Sequence, residues 1–405
     1  MHAYNLVLNM KVILAYSGGL DTSIAVKWLA DEYDAEVMTV TLELGQEISD
    51  LKAVEDKAKK LGAVNTYSID ARKEFVKDYI FPSIKANGMY EGKYPLSTAL
   101  GRPLIAKKLV EIAGKEGACA VSHGSTGKGN DQVRFDVAIN TLNPDLEIIA
   151  PARDWGMSRE ELIAYAEKHG IGVPVTKKDP YSYDTNLWGR SAEAGPLEDP
   201  MFEPSEESYG LTQKPEEAPD KPEYVEVGFN EGIPVSLNGK SQSGIDLIRN
   251  LNSIAGAHGV GRIDLIEDRI IGIKSRETYE CPAATVIFEA HKELERMTLT
   301  REQLVFKEIV DSKWSRLVYF GLWYEPLMMD LDSYINQSQA QVTGKVRLKL
   351  YKGGVSVVGR DSPKSLYDLG LATYSGKDSF DSKSALGFIK LWGLPSKLAG
   401  RRLIK

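Results

Sequence analysis

Cysteine is nearly absent: Cys119 and Cys281 are the only two in 405 residues. That excludes a disulfide scaffold and a cysteine-rich zinc site. No apolar run approaches the roughly 18 to 20 residues that a membrane span needs, so no membrane partner is expected. Basic charge is not in excess either, with 50 Lys and Arg against 57 Asp and Glu, a formal net charge of −7. Nonspecific nucleic-acid binding draws on a basic surface, and this composition argues against it. Five histidines (His2, His123, His169, His258, His291) are scattered without metal-ligand spacing. Residues 1–9 lack the charged start and small-residue cleavage site of a signal peptide, and read as a disordered leader. The expectation is a folded cytoplasmic protein of two or three domains.

What is present first is an alternation of strand and helix signals. Lys11–Tyr16 (KVILAY) is a short apolar run of the buried parallel-strand type. A Ser-Gly-Gly turn leads to Ile24, Ala25, Trp28 and Leu29 at helical spacing, with a helix expected from about Thr22. Further strands are expected at 36–42, 64–69, 118–122 and 146–150, and helices at 51–61 and about 103–113. Ser158 and Glu161 form a capping box that opens a helix stopping at Gly170. Strand–helix–strand order implies crossovers and an open parallel sheet, an α/β domain. Residues 198–223 change character, holding five prolines and nine acidic residues, and read as a surface excursion rather than a packed element. Hairpins are expected at 224–237 and 346–358, with helical patterns dominating from 243 to about 335. The second domain is therefore α+β. The tail carries a short amphipathic stretch, Ala385–Trp392, whose apolar face calls for a neighbouring subunit. The expected divisions are 10–172, 173–365 and a C-terminal arm over 366–405.

The chemistry starts at Ala15–Ser23, AYSGGLDTS. A strand ends, glycines bring the backbone close, and a helix begins, so free amides and the helix dipole favour phosphate. Ser17, Thr22 and Ser23 add hydroxyls, and Asp21 suits a magnesium ion. The loop is not a Walker A, because no Gly-Lys-Ser/Thr tripeptide occurs; Gly127-Lys128-Gly129 lacks the hydroxyl. Nor is it a dinucleotide fingerprint. Its SGGLDTS resembles the pyrophosphate loop of ATP pyrophosphatases, which implies adenylation with release of pyrophosphate.

Polar density recurs in YPLSTALGRP (94–103), HGSTGKGNDQVRF (123–135), YSYDTNLWGRS (181–191) and EDRIIGIKSRETYECP (267–282). In the second of these, Arg134 could take a carboxylate and Asp131 an ammonium, a pairing for a zwitterionic amino acid. His123 and Cys119 read as structural, with Cys119 in the core, and Cys281 has no base to activate it. Trp314, Phe320, Trp323 and Tyr324 read as core or subunit contact.

Together these blocks, with GRIDLIEDRIIGIKSRETYE and the late hairpin, resemble argininosuccinate synthases over residues 11 to about 374. The resemblance implies an adenine nucleotide alpha hydrolase-like first domain, a synthetase second domain, and a homotetramer with a helical arm. It also implies ligation of citrulline and aspartate driven by ATP, giving argininosuccinate, AMP and pyrophosphate. Carried over by motif, it assigns ATP to Ala15, Tyr16, Ser17, Gly18, Gly19, Leu20, Asp21, Thr22, Ser23, Leu42 and Gly124. Citrulline falls to Tyr94, Asn130, Arg134, Ser182, Ser191, Glu267 and Tyr279, and aspartate to Thr98, Thr126, Asn130 and Asp131. No general base is assigned. One departure is Thr98-Ala99, where many relatives read Thr-Ser. Another pyrophosphate-loop adenylating enzyme and a nucleotide-binding regulator of the same fold are the competing readings.

Overall fold

The computed structural model describes residues 10–46, 51–172, 180–375 and 378–404. The expected leader and the junction at 173 lie outside them. In the first half, chain order runs β1 (Lys11–Ala15), α1 (Leu20–Tyr33), β2 (Glu36–Glu43), α2 (Leu51–Lys60), β3 (Asn65–Asp70), α3 (Ser97–Glu116), β4 (Ala120–Ser122), α4 (Asn130–Leu142), β5 (Glu147–Ile149) and α5 (Arg159–Lys168). The five strands form one parallel sheet in the order β3-β2-β1-β4-β5. Strand alternation splits β1 between two cores. Val12 and Leu14 pack with Ala25, Val26 and Leu29 of α1, while Ile13 joins Leu104 and Leu109 of α3 on the other face. Both faces are covered, which is why β1 reads as an unbroken apolar run.

The strand order reverses between β1 and β4. Chain leaves β1 toward β2 and returns from β3 to β4, so the loops after β1 and β4 part and leave a crevice at the carboxyl edge. That crevice holds the loop that joins β1 to α1.

The second half contains β6 (Ser182–Asn186), β7 (Gly189–Glu193), β8 (Glu223–Asn230), β9 (Ile233–Leu237), β10 (Lys240–Ser241), α6 (Gly244–Ala257), β11 (Arg262–Asp268), β12 (Lys274–Glu280), α7 (Pro282–Thr298), α8 (Arg301–Tyr319), α9 (Pro326–Gln339), β13 (Gly344–Tyr351) and β14 (Gly354–Asp361). These strands make a four-stranded sheet, β11-β12-β7-β6, and a five-stranded sheet, β10-β9-β8-β13-β14. The β6–β7 turn pins the smaller sheet to the first half: Leu187 N–H donates to the Leu44 carbonyl, Asn186 Nδ2 to that of Ser97, and Trp188 Nε1 to that of Pro95, each at 2.8–2.9 Å. Last come α10 (Ser382–Trp392) and α11 (Leu394–Leu403), in which no residue is buried.

Several expectations need correction. Helix α1 begins at Leu20, two residues early, and α3 begins at Ser97 rather than near Pro103, which it carries inside. The helical reading of 243–335 missed the β11–β12 hairpin. Its strands, RIDLIED and KSRETYE, bear charge on both faces, and the one apolar alternation, Ile263 with Leu265, is too short to mark a strand. Residues 198–223 are mostly exposed but not unpacked. Buried Glu280 accepts from the N–H groups of Gly210, Leu211 and Thr212 at 2.8 Å and anchors the segment, burying Ser208 and Ala218. Cys119 is exposed, not core, because β4 starts only at Ala120. The Ser158–Glu161 capping box forms as expected.

Candidate active site

The first cavity, of about 430 Å³, opens over the loop between β1 and α1. Gly18 holds φ +79°, a left-handed conformation that suits glycine, and its carbonyl accepts from Lys57 Nζ at 2.6 Å. Gly19 is the N-cap of α1 and no side chain caps it, so the first-turn amides face the cavity mouth. The Ser17 and Thr22 hydroxyls lie 3.1 Å apart. Ala15, Tyr16, Ser17, Gly19, Leu20, Asp21, Thr22, Leu42 and Gly124 all line this space. Gly18 and Ser23 do not; Ser23 is buried beside Tyr16, 3.4 Å from its hydroxyl. Gly124 is a close approach: a Cβ there would stand 3.0 Å from Thr22 Cγ2. Val40, Leu44, Ile105 and Phe135 make the apolar part of its lining.

The second cavity, of about 250 Å³, is strongly polar. The segment leading into α3 supplies Tyr94 and the first turns of α3 supply Thr98 and Arg102; the loop after β4 and the start of α4 supply Thr126, Asn130, Asp131 and Arg134. The small sheet supplies Asp184, Ser191, Glu193, Glu267, Glu277 and Tyr279, with Arg269 from the β11–β12 turn. Ser191 pairs with Tyr279 in register, which sets both at one level of the sheet. Ser182, at the start of β6, lines neither cavity.

Its charges are organised around Asp131. Arg102 reaches it at 2.8 Å and Arg134 at 2.9 Å, and Arg102 also meets Asp184 at 2.5 Å. Burial pushes the Asp131 carboxyl upward, but the two guanidiniums outweigh it and hold it at about 2. Arg134 Nε donates to the Tyr319 carbonyl at 2.9 Å. Both ends of the Asn130 amide are taken: Nδ2 donates to the Tyr319 hydroxyl and Oδ1 accepts from Ile270 N–H, each at 2.9 Å. Glu267, almost fully buried, accepts from the Tyr279 hydroxyl at 2.6 Å and from Tyr319. Burial raises its carboxyl against those donors, and burial raises Glu277 further, helped by the charge of Glu267. Tyr94 stacks on Tyr279 at 4.0 Å, and its oxygen accepts from Thr98 N–H.

Arg102, Asp184, Glu193, Arg269, Glu277 and Tyr319 were not picked out from sequence. All but Tyr319 fall in or beside the polar blocks, yet block density does not say which side chain turns inward. Tyr319 sits among core aromatics and gave no signal. His123 is structural: its Nε2 pairs with Asp136 at 2.8 Å and its Nδ1 accepts from Ser125 N–H. Among the described residues, no three His, Cys, Asp or Glu side chains gather as a metal cluster.

The decisive comparison is with protein families. Residues 11–172 match the arginosuccinate synthase N-terminal HUP domain, and residues 181–399 match the arginosuccinate synthase C-terminal domain. The chain belongs to the argininosuccinate synthase family. An argininosuccinate synthase of Rubrobacter xylanophilus is 57% identical over 387 residues, covering 96% of this chain and 94% of that one. Those of Dehalococcoides mccartyi and Synechococcus elongatus are also 57% identical, over 391 and 389 residues, covering 96% of this chain and 96% and 97% of theirs. As an argininosuccinate synthase, the protein is an ATP-binding ligase of arginine biosynthesis.

Proposed function

We propose that the two cavities are one active site, in which citrulline is adenylated by ATP and then joined to aspartate. The observation that carries this is a shared wall: Arg102, Gly124, Ser125, Asp131 and Asp184 line both spaces. A phosphate site and an amino-acid site that touch are what adenylation requires. A ureido oxygen is a poor leaving group until it bears AMP. Its attack on the α-phosphorus releases pyrophosphate, and the aspartate amine then displaces AMP from the ureido carbon.

In this reading the loop 15–23 grips the β- and γ-phosphates through backbone amides and the Ser17 and Thr22 hydroxyls. The apolar lining at Leu42, Leu44 and Phe135 takes the base. Arg134, Ser191, Glu267 and Tyr279 hold citrulline, with Glu267 facing its ammonium, and Thr98, Thr126 and Asp131 hold aspartate. Asn130 is held in place by its bonds to Tyr319 and Ile270, and the second hydrogen of its NH2 group is the one that meets citrulline or aspartate. Magnesium fits beside Asp21, where a carboxylate and two hydroxyls offer hard oxygen donors, and it would neutralise phosphate charge there. Most of the rate comes from alignment, which can supply on the order of 7 to 11 kcal/mol. We further propose a cytoplasmic homotetramer; the exposed apolar face of α10 supports an oligomer in which the arm is covered.

Exchange of labelled pyrophosphate into ATP tests the first step. Exchange that needs citrulline but not aspartate is expected. Exchange that proceeds without citrulline would contradict the adenylation of its ureido oxygen.

A further inference from the structure

Three side chains at the back of the polar cavity share too few protons for the contacts they make. The Tyr279 hydroxyl lies 2.6 Å from Glu267 Oε2 and 2.9 Å from Glu277 Oε2. A phenol has one hydrogen to give. The other oxygen of Glu267 accepts from Tyr319, whose hydroxyl in turn accepts from Asn130 Nδ2 at 2.9 Å. If both glutamates were ionised, one of the Tyr279 contacts would set lone pair against lone pair in a nearly buried place. One further proton must therefore sit in the chain Glu267–Tyr279–Glu277.

Surroundings decide where. Glu267, on β11, takes two tyrosine hydroxyls and has Arg134 from α4 and Arg269 nearby. Glu277, on β12, faces two acids, Glu267 and Glu193 of β7. Its cationic neighbour, Arg269, stands 3.4 Å away and is drawn to Glu193 at 2.5 Å. The Glu277 side chain is 13% exposed. Burial and the Glu267 charge both push its carboxyl up.

We infer that Glu277 keeps its proton at neutral pH and donates it to Tyr279, leaving Glu267 as the single anion of this trio offered to the substrate ammonium. It is a positioning residue: it acts through Tyr279, fixing that hydroxyl on Glu267. The role rests on the reading of this cavity as the citrulline site. Ionisation of Glu277 would remove a donor and place two carboxylates on one phenol, so the trio loses its order as pH rises.

Infrared difference spectroscopy on the full-length, ligand-free protein tests the proton without any substrate. A protonated-carboxyl band present at pH 7 and fading toward about pH 9 is expected, with lower intensity in Glu277→Gln. Spectra of the two proteins that coincide, or no such band at pH 7, would overturn the inference. In the kinetic arm, the amide introduced by Glu277→Gln can donate to Tyr279 as the acid does. Wild-type citrulline KM should rise as pH climbs from 7 toward about 9, and that variant should lose the rise, with its citrulline KM at pH 7 changed by less than about tenfold. A rise of about tenfold or more at pH 7 would mean the substrate needs the charge, and would also overturn it. If wild-type protein shows no citrulline-dependent turnover, the substrate role falls while the infrared band still reports on the proton.

Discussion

Asp131 is a carboxylate that the fold keeps ionised by flanking it with Arg102 and Arg134. Its folded carboxyl lies at about 2, below the ordinary 3.8, so the unfolded chain binds the proton more readily. The stability it contributes is present above about pH 4 and is lost as pH falls toward about 2. Asp131→Asn should therefore cost about 2–3 kcal/mol at pH 7, measured by urea unfolding, with the deficit shrinking through that acid window. An equal deficit at both ends would remove the electrostatic account. Asp21 lines the phosphate cavity on the first turn of α1. Asp21→Ala should abolish AMP formation, with an unchanged far-ultraviolet circular dichroism spectrum. Turnover close to wild type would leave the loop without its assigned acid.

Among elements, the legible ones are those whose residues pack on themselves. β1 announces itself because both its faces are covered, and α5 because its capping box is local. The β11–β12 hairpin does not, although it carries Glu267, Glu277 and Tyr279. Its Glu267 side chain answers to Tyr319 and the backbone of its turn to Asn130, both far along the chain, and its side chains answer to each other. That most of residues 15–23 line one cavity was readable because they form one run from a strand into a helix. The wall shared by the two cavities was not, since Arg102 and Asp184 meet only in three dimensions. The end of α8 offers an element-scale test. Gly321 has φ +75°, and a Cβ there would lie 2.7 Å from Arg134 Cα. Gly321→Ala should destabilise the protein by about 1–3 kcal/mol and raise citrulline KM more than ATP KM. Equal effects on both KM values would mean that α4 does not carry the strain to the site.

At the scale of the whole molecule, the arm and the site are separate problems. Leu386, Phe388, Ile389, Leu391 and Trp392 of α10 are each at least 61% exposed, and no described residue of α10 or α11 is buried. Deleting residues 378–405 should shift sedimentation velocity to a smaller species while circular dichroism stays that of a folded protein. An unchanged sedimentation coefficient would show that the arm does not hold the assembly together. In the proposed function, the two adjoining cavities perform adenylation and ligation in succession. The most direct test is product analysis with ATP labelled in the α- and γ-phosphates, with citrulline and aspartate added separately and together. Labelled AMP and pyrophosphate formed in quantity only with both amino acids is the predicted result, and ADP with inorganic phosphate would contradict it.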